Sequence, residues 1–139
     1  MRYLHSIIIC TIVLHVLLAG IGFACSCQPP DEPLIAFEKS SVVFVGKVIG
    51  KNLVVEGGQR NFDYRFQVLR QFKSPTKDEL VVRSGSSGGG LCGYPFAEGE
   101  EYLIYAVGSE TPYTGICTRT RKLENAVGDL QIIDSVDEK

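Results

Sequence analysis

The sequence is poor in histidine, and the little it has is badly placed for chemistry. Its two histidines, His5 and His15, both lie in an apolar stretch at the start of the chain. If that stretch is a removable leader, the working protein has none. Ser-His-Asp and Cys-His catalysis and every His-containing metal site then drop out, and few ordinary enzyme mechanisms survive. Basic charge is also short. The chain carries 14 Lys and Arg against 16 Asp and Glu, a net charge of −2. That balance argues against a nucleic-acid partner, which wants a basic face, and gives no strong sign of membrane-surface binding. The run "SGSSGGG" at 84–90 lacks the Lys-Ser/Thr that must follow in a phosphate-binding loop, and no helix is expected behind it. It reads as a flexible loop, or as a device that lets backbone near Cys92 approach another segment closely. No repeat and no dividing linker is present, and 139 residues suit one domain.

What is there begins with a change of character at "GFACSCQPP", residues 22–30. From Ile7 to Ala24 the chain is almost wholly apolar after a start that carries Arg2, and Gly22 and Ala24 are the small residues of a cleavage site. This is the signal-peptide pattern, although the run approaches the length of a membrane anchor. Residues 1–24 are therefore expected to be a leader and residues 25–139 the working domain, secreted, or periplasmic in a bacterium. Removing Arg2 leaves thirteen basic residues against sixteen acidic, a net charge of −3. Cys10 leaves with the leader, and Cys25, Cys27, Cys92 and Cys117 remain. An even number in an oxidising compartment points to two disulfides, for which three pairings are possible. Cys25-Ser26-Cys27 lacks the Cys-x-x-Cys spacing of a redox pair, so structural bridges are the expectation.

Strand signals dominate the rest. "VVFVGKVIGK" at 42–51 reads as a strand with a bend or bulge at Gly46, and Gly57-Gly58 as a turn. "FDYRFQVLRQFK" at 62–73 alternates, with Phe62, Tyr64, Phe66 and Val68 on one face. "LVVRS" and "YLIYAVG" (102–108) are further strands, with Tyr102 and Tyr105 as core residues, and "TGICTRT" reads as a last short strand. A short helix is expected behind Pro33. A C-terminal amphipathic helix is expected with Leu123, Val127, Leu130 and Ile132 or Ile133 on its stripe, weakened by Gly128. Five short strands separated by turn signals suggest a small closed or partly closed barrel with that helix packed upon it, although pattern alone does not exclude a sandwich.

One chemical possibility comes from position. A cysteine at the start of the working chain sets an α-amino group beside its own carbonyl oxygen, and these two atoms close a five-membered ring on a metal ion. The amine titrates near 7.7–8.0, so roughly a tenth is neutral at pH 7, and zinc displaces the remaining proton for about 1 kcal/mol. The chelate needs a rigid first residue, which a Cys25 disulfide supplies while Pro29-Pro30 stiffen the next stretch of chain. From the residues alone, a merely stapled chain end is the plainer reading.

The stretches "CSCQPP", "AFEKSSVVFVGKVI", "YRFQVLRQFK", "CGYPFAEGEEYLIYA" and "CTRTRKLENAVGDL" shift that balance. Together they resemble the N-terminal inhibitory domain of the tissue inhibitors of metalloproteinases, through nearly all of residues 25–134. Its specific parts are the Cys-x-Cys-x-Pro start, the Cys-Gly before "EGEEYLIYA", and the Cys-x-Arg-Thr before the last helix. The resemblance implies a mainly β fold, a five-stranded OB-type (netrin-like) barrel with a short N-terminal and a C-terminal helix. It implies the disulfides Cys25–Cys92 and Cys27–Cys117. It also implies inhibition of a zinc metalloprotease rather than an enzyme activity. The Cys25 amine and carbonyl would chelate the target's zinc, and Ser26 would point toward its S1′ pocket. Cys27, Gln28 and Pro29 would lie along its cleft, with Leu91, Cys92 and Gly93 as the adjoining half of the ridge. No cofactor of its own and a monomer are expected. The animal members carry a third disulfide in this domain and a further cysteine-rich domain; the expectation here is a compact single-domain relative of the kind bacteria encode. Gly88 to Gly90 stand where the family has bulkier ridge residues. The alternatives are a netrin-like docking module that inhibits nothing, and a lipoprotein. In the latter the Cys25 sulfur would carry lipid and its amine would be acylated, which Phe23 before the cleavage site suits poorly.

Overall fold

The computed structural model describes residues 25–74, 77–86 and 92–137. The expected leader, residues 1–24, lies outside them, as do Gly88 to Gly90 and Leu91. Pro33 opens helix α1 (Pro33–Lys39), where its missing N–H costs nothing. Ser40 ends the helix by donating both its N–H and its hydroxyl to the Ala36 carbonyl.

Two long strands come next, β1 (Val42–Glu56) and β2 (Gln59–Lys73), joined at Gly57-Gly58. Both glycines have positive φ, 56° and 80°, as a two-residue hairpin turn of the primed type requires. The strands thus run further than the 42–51 and 62–73 read from the sequence. The largely exposed stretch near the turn is carried by the ladder itself, down to Glu56 opposite Gln59. Register shifts between Val45 and Gly46 and between Val48 and Gly50 are the bulges that coil β1 around the core.

Strand β3 (Glu79–Gly85) pairs antiparallel with β2, and β4 (Glu101–Ala106) pairs antiparallel with the first half of β1. The two-residue β5 (Tyr113–Thr114) lies parallel to β3, and β6 (Arg121–Lys122) extends the sheet beyond β4. Tyr113 also exchanges two backbone hydrogen bonds with Val107, just past β4. The circuit β1-β2-β3-β5-β4-β1 thereby closes through its shortest strand, giving a partly open OB-type barrel.

"TGICTRT" is not a strand. Only its first threonine belongs to β5, and Ile116 and Cys117 form a turn. The reason is local, since Cys117 is held in a bridge and the threonines bond inward.

Two cores explain the apolar runs. Phe44, Val48, Tyr64, Phe66, Val82, Tyr102 and Ile104 fill the barrel. Val43, Val45, Leu103 and Tyr105, on the opposite pleat of β1 and β4, pack outside it beneath α2 (Val127–Asp137). A strand buried on both faces has no reason to alternate. The helix stripe is Ala126, Leu130 and Ile133, with Leu123 contributing from the preceding 3-10 turn (Leu123–Asn125). Val127 is 59% exposed and leaves the stripe, lying about 100° around the axis from the buried Ala126.

Candidate functional site

Residues 25–32 form a strap that is exposed at every position. Covalent and polar ties hold it to the barrel. Cys25 is bonded to Cys92 and Cys27 to Cys117, with Cα separations of 5.5 and 5.1 Å. These are the pairings that the resemblance implies. They close intervals of 67 and 90 residues. Long loops of this kind contribute about 4 kcal/mol each in the chain-entropy account. Cys25 thus stands beside Cys92 and Cys27 beside Cys117, with Ser26 between them and Gln28 and Pro29 next along the exposed strap, while Leu91 falls outside the described residues.

The receiving side is built by close backbone approach. Cys92 adopts a left-handed φ of 48°, and its carbonyl accepts the Ile116 N–H at 2.9 Å. Gly93 bridges to Gly115 in antiparallel fashion. A Cβ at Gly93 would lie 1.5 Å from the Gly85 carbonyl oxygen, and one at Gly115 would lie 2.6 Å from that of Cys92. Glycine is the residue type that fits at both places. Three residues on, Phe96 plugs the barrel end, with ring centroids 4.9 Å from Tyr64, 5.1 Å from Phe66 and 4.9 Å from Tyr102. The ridge is therefore tied to the core by four residues of chain.

The Cys117 turn is fixed by hydroxyls. Thr114 Oγ1 lies 2.8 Å from both Thr118 Oγ1 and Thr120 Oγ1, and donates to the Tyr105 carbonyl at 2.9 Å. Thr118 donates to the Gly115 carbonyl, and the Tyr105 N–H donates to Thr120 Oγ1. Beside them lies a buried ion pair. Arg119 grips Asp129 with both ends of its fork, at 2.7 and 2.9 Å, and the carboxylate is 5% exposed. Asp129 also accepts the Tyr105 hydroxyl proton at 3.3 Å. Burial, then the charge and hydrogen bond of Asp129, push the Tyr105 hydroxyl well above the ordinary tyrosine value. The remaining arm of Arg119 donates to the Asp31 carbonyl of the strap at 2.5 Å.

Sequence reasoning missed this threonine and Arg119–Asp129 network. The Cys-x-Arg-Thr motif contained three of its members, Thr118, Arg119 and Thr120, but nothing in the spacing tells which carboxylate an arginine will find. Among the described residues no three His, Cys, Asp or Glu side chains converge as a metal site.

Comparison with known proteins bears on the same stretch. The family model described as tissue inhibitor of metalloproteinase matches residues 23–127. Among curated proteins, metalloproteinase inhibitor 3 of Scyliorhinus torazame is 29% identical over 103 residues, covering 72% of this chain and 48% of its own length. The chain therefore spans about half the length of that relative.

Proposed function

The chain belongs to the tissue inhibitor of metalloproteinase family, and from that premise we propose that it is a secreted inhibitor of zinc metalloproteases acting through Cys25. Cleavage after Ala24 frees the Cys25 α-amine. That nitrogen and the Cys25 carbonyl oxygen take the target's catalytic zinc and displace the water that would attack substrate. Ser26 enters the S1′ pocket. Cys27, Gln28 and Pro29 follow the cleft, and Leu91, Cys92 and Gly93 complete the ridge. The protein needs no cofactor of its own and acts as a monomer.

The observation that carries this reading is the strap itself. It is exposed throughout residues 25–32, yet covalently fixed at two of its first three positions. A free chain end would lose its conformational freedom on entering a cleft, at a cost of about 0.5–1.5 kcal/mol per ordered side chain; a stapled one has already lost it. The Cys25–Cys92 bridge also occupies the sulfur that a lipid anchor would require.

The test adds one alanine before Cys25. The extended protein is expected to keep its fold and both bridges and to lose inhibition of a zinc metalloprotease by two orders of magnitude or more. Equal inhibition by both forms would remove the chelate. A docking module that works away from the zinc would be indifferent to the extension. Intact mass and N-terminal sequencing of the secreted protein establish the first residue and the absence of lipid.

A further inference from the structure

We propose that Arg119 is a positioning residue for the strap, and, on the reading that Cys25 is the reactive residue, for inhibition. A guanidinium presents five N–H donors in a rigid fork. Nε and Nη2 are spent on Asp129, and Nη1 points the other way, to the Asp31 carbonyl. The first two bonds serve the interior. The third does nothing for it, because residues 25–32 lie in solvent.

The geometry makes one short loop grip the strap twice. Cys117 holds Cys27 through sulfur, and Arg119, two residues on, holds Asp31. Between these two points lie Gln28, Pro29 and Pro30, and the prolines have little torsional freedom. The grip is itself anchored, through Thr114, Thr118 and Thr120 on the backbone of Tyr105 and through Asp129 at 4% exposure. A disulfide fixes a distance but leaves several torsions free. A second tie downstream fixes the direction in which residues 25–27 leave the barrel. Lysine cannot replace arginine here, since one ammonium point charge cannot reach the Asp129 carboxylate and the Asp31 carbonyl in opposite directions. Asp129 retains other partners without the fork, the Tyr105 hydroxyl and Arg121 Nε at 3.7 Å.

The test uses the mature protein with Arg119→Lys. The pair Arg119→Gln with Asp129→Asn serves as a second variant that strands no buried charge. Backbone ¹⁵N order parameters of Ser26, Cys27 and Gln28 are expected to fall from the rigid range near 0.85 toward 0.6, while those of Val43–Val45 and Leu103–Tyr105 stay as they were. Dissociation from a zinc metalloprotease is expected to quicken about tenfold, the loss of one hydrogen bond with a charged donor. Lys39→Ala, which removes only the exposed ion pair on the Asp31 side chain at 2.9 Å, should change neither quantity. A strap that stays rigid in both Arg119 variants overturns the inference, as does a loosened strap with unaltered dissociation. A strap that loosens in a protein whose wild type inhibits nothing supports the tie and overturns instead the assignment of Cys25 as reactive.

Discussion

Tyr105 illustrates how a single side chain couples the outer core to solution conditions. Its hydroxyl is raised above the ordinary value near 10, first by burial and then by Asp129. Above pH 10 the unfolded chain loses this proton while the native state keeps it, so the native state binds more protons. Stability is therefore full below about pH 10 and falls as pH rises toward the folded value. Tyr105→Phe should flatten that alkaline fall in denaturant midpoints, at a neutral-pH cost of about 1 kcal/mol for the lost bond to Asp129. Glycines offer a sharper contrast. Gly93→Ala drives a Cβ against the Gly85 backbone and should lower stability by about 2–3 kcal/mol or prevent folding. Gly128 lies in α2 with nothing within 4 Å of an added Cβ. Gly128→Ala should therefore raise stability by about 0.5–1 kcal/mol in the same denaturant titration.

At the scale of elements, the barrel end and the hairpin tip bear very different loads. Phe96 is 7% exposed and packs against several rings, and it connects the ridge at Gly93 to the barrel core. Phe96→Ala should cost about 3–5 kcal/mol by chemical denaturation. Leu53 sits on β1 near the turn, 50% exposed, and Leu53→Ala should move stability by no more than about 0.5 kcal/mol. The turn end of that hairpin is held by Arg83, which forks onto Asp63 at 2.6 and 3.0 Å and reaches Glu56 at 2.9 Å. The existence of β1 to β4 was legible, since β-branched and aromatic runs have few other uses, whereas the two-residue β5 and β6 carry no such run. The lengths of β1 and β2 were not, because the ladder between Gly50 and Gln59 rests on pairing and the Gly-Gly turn rather than on apolar pattern. Misreading "TGICTRT" as a strand came from its β-branched residues, whose hydroxyls in fact bond the turn to β4.

At the scale of the whole molecule, two disulfides among the described residues connect the exposed strap at 25–32 to two loops that lie far along the chain. Replacing Cys27 and Cys117 together by serine should cost about 4 kcal/mol in the denaturant-extrapolated stability, with the barrel still able to form from its own core. On the proposed function, inhibition should fall further than stability does, because the freed strap must then be ordered at the target. The barrel and the strap are thus separable: one has its own buried core, the other is an exposed segment bridged to it.

The order of residues by itself determined the expectation of secretion, the cysteine count, the strand-rich barrel and the family pattern. These depend on composition and local periodicity, which the chain carries wherever it folds. The tertiary structure alone decided that Gly93 and Gly115 meet backbone to backbone, that Val127 turns away from the helix stripe, and that Arg119 joins Asp129 to the strap. Those facts depend on which distant segments meet, and contacts across 10 to 88 residues of sequence leave no spacing to read.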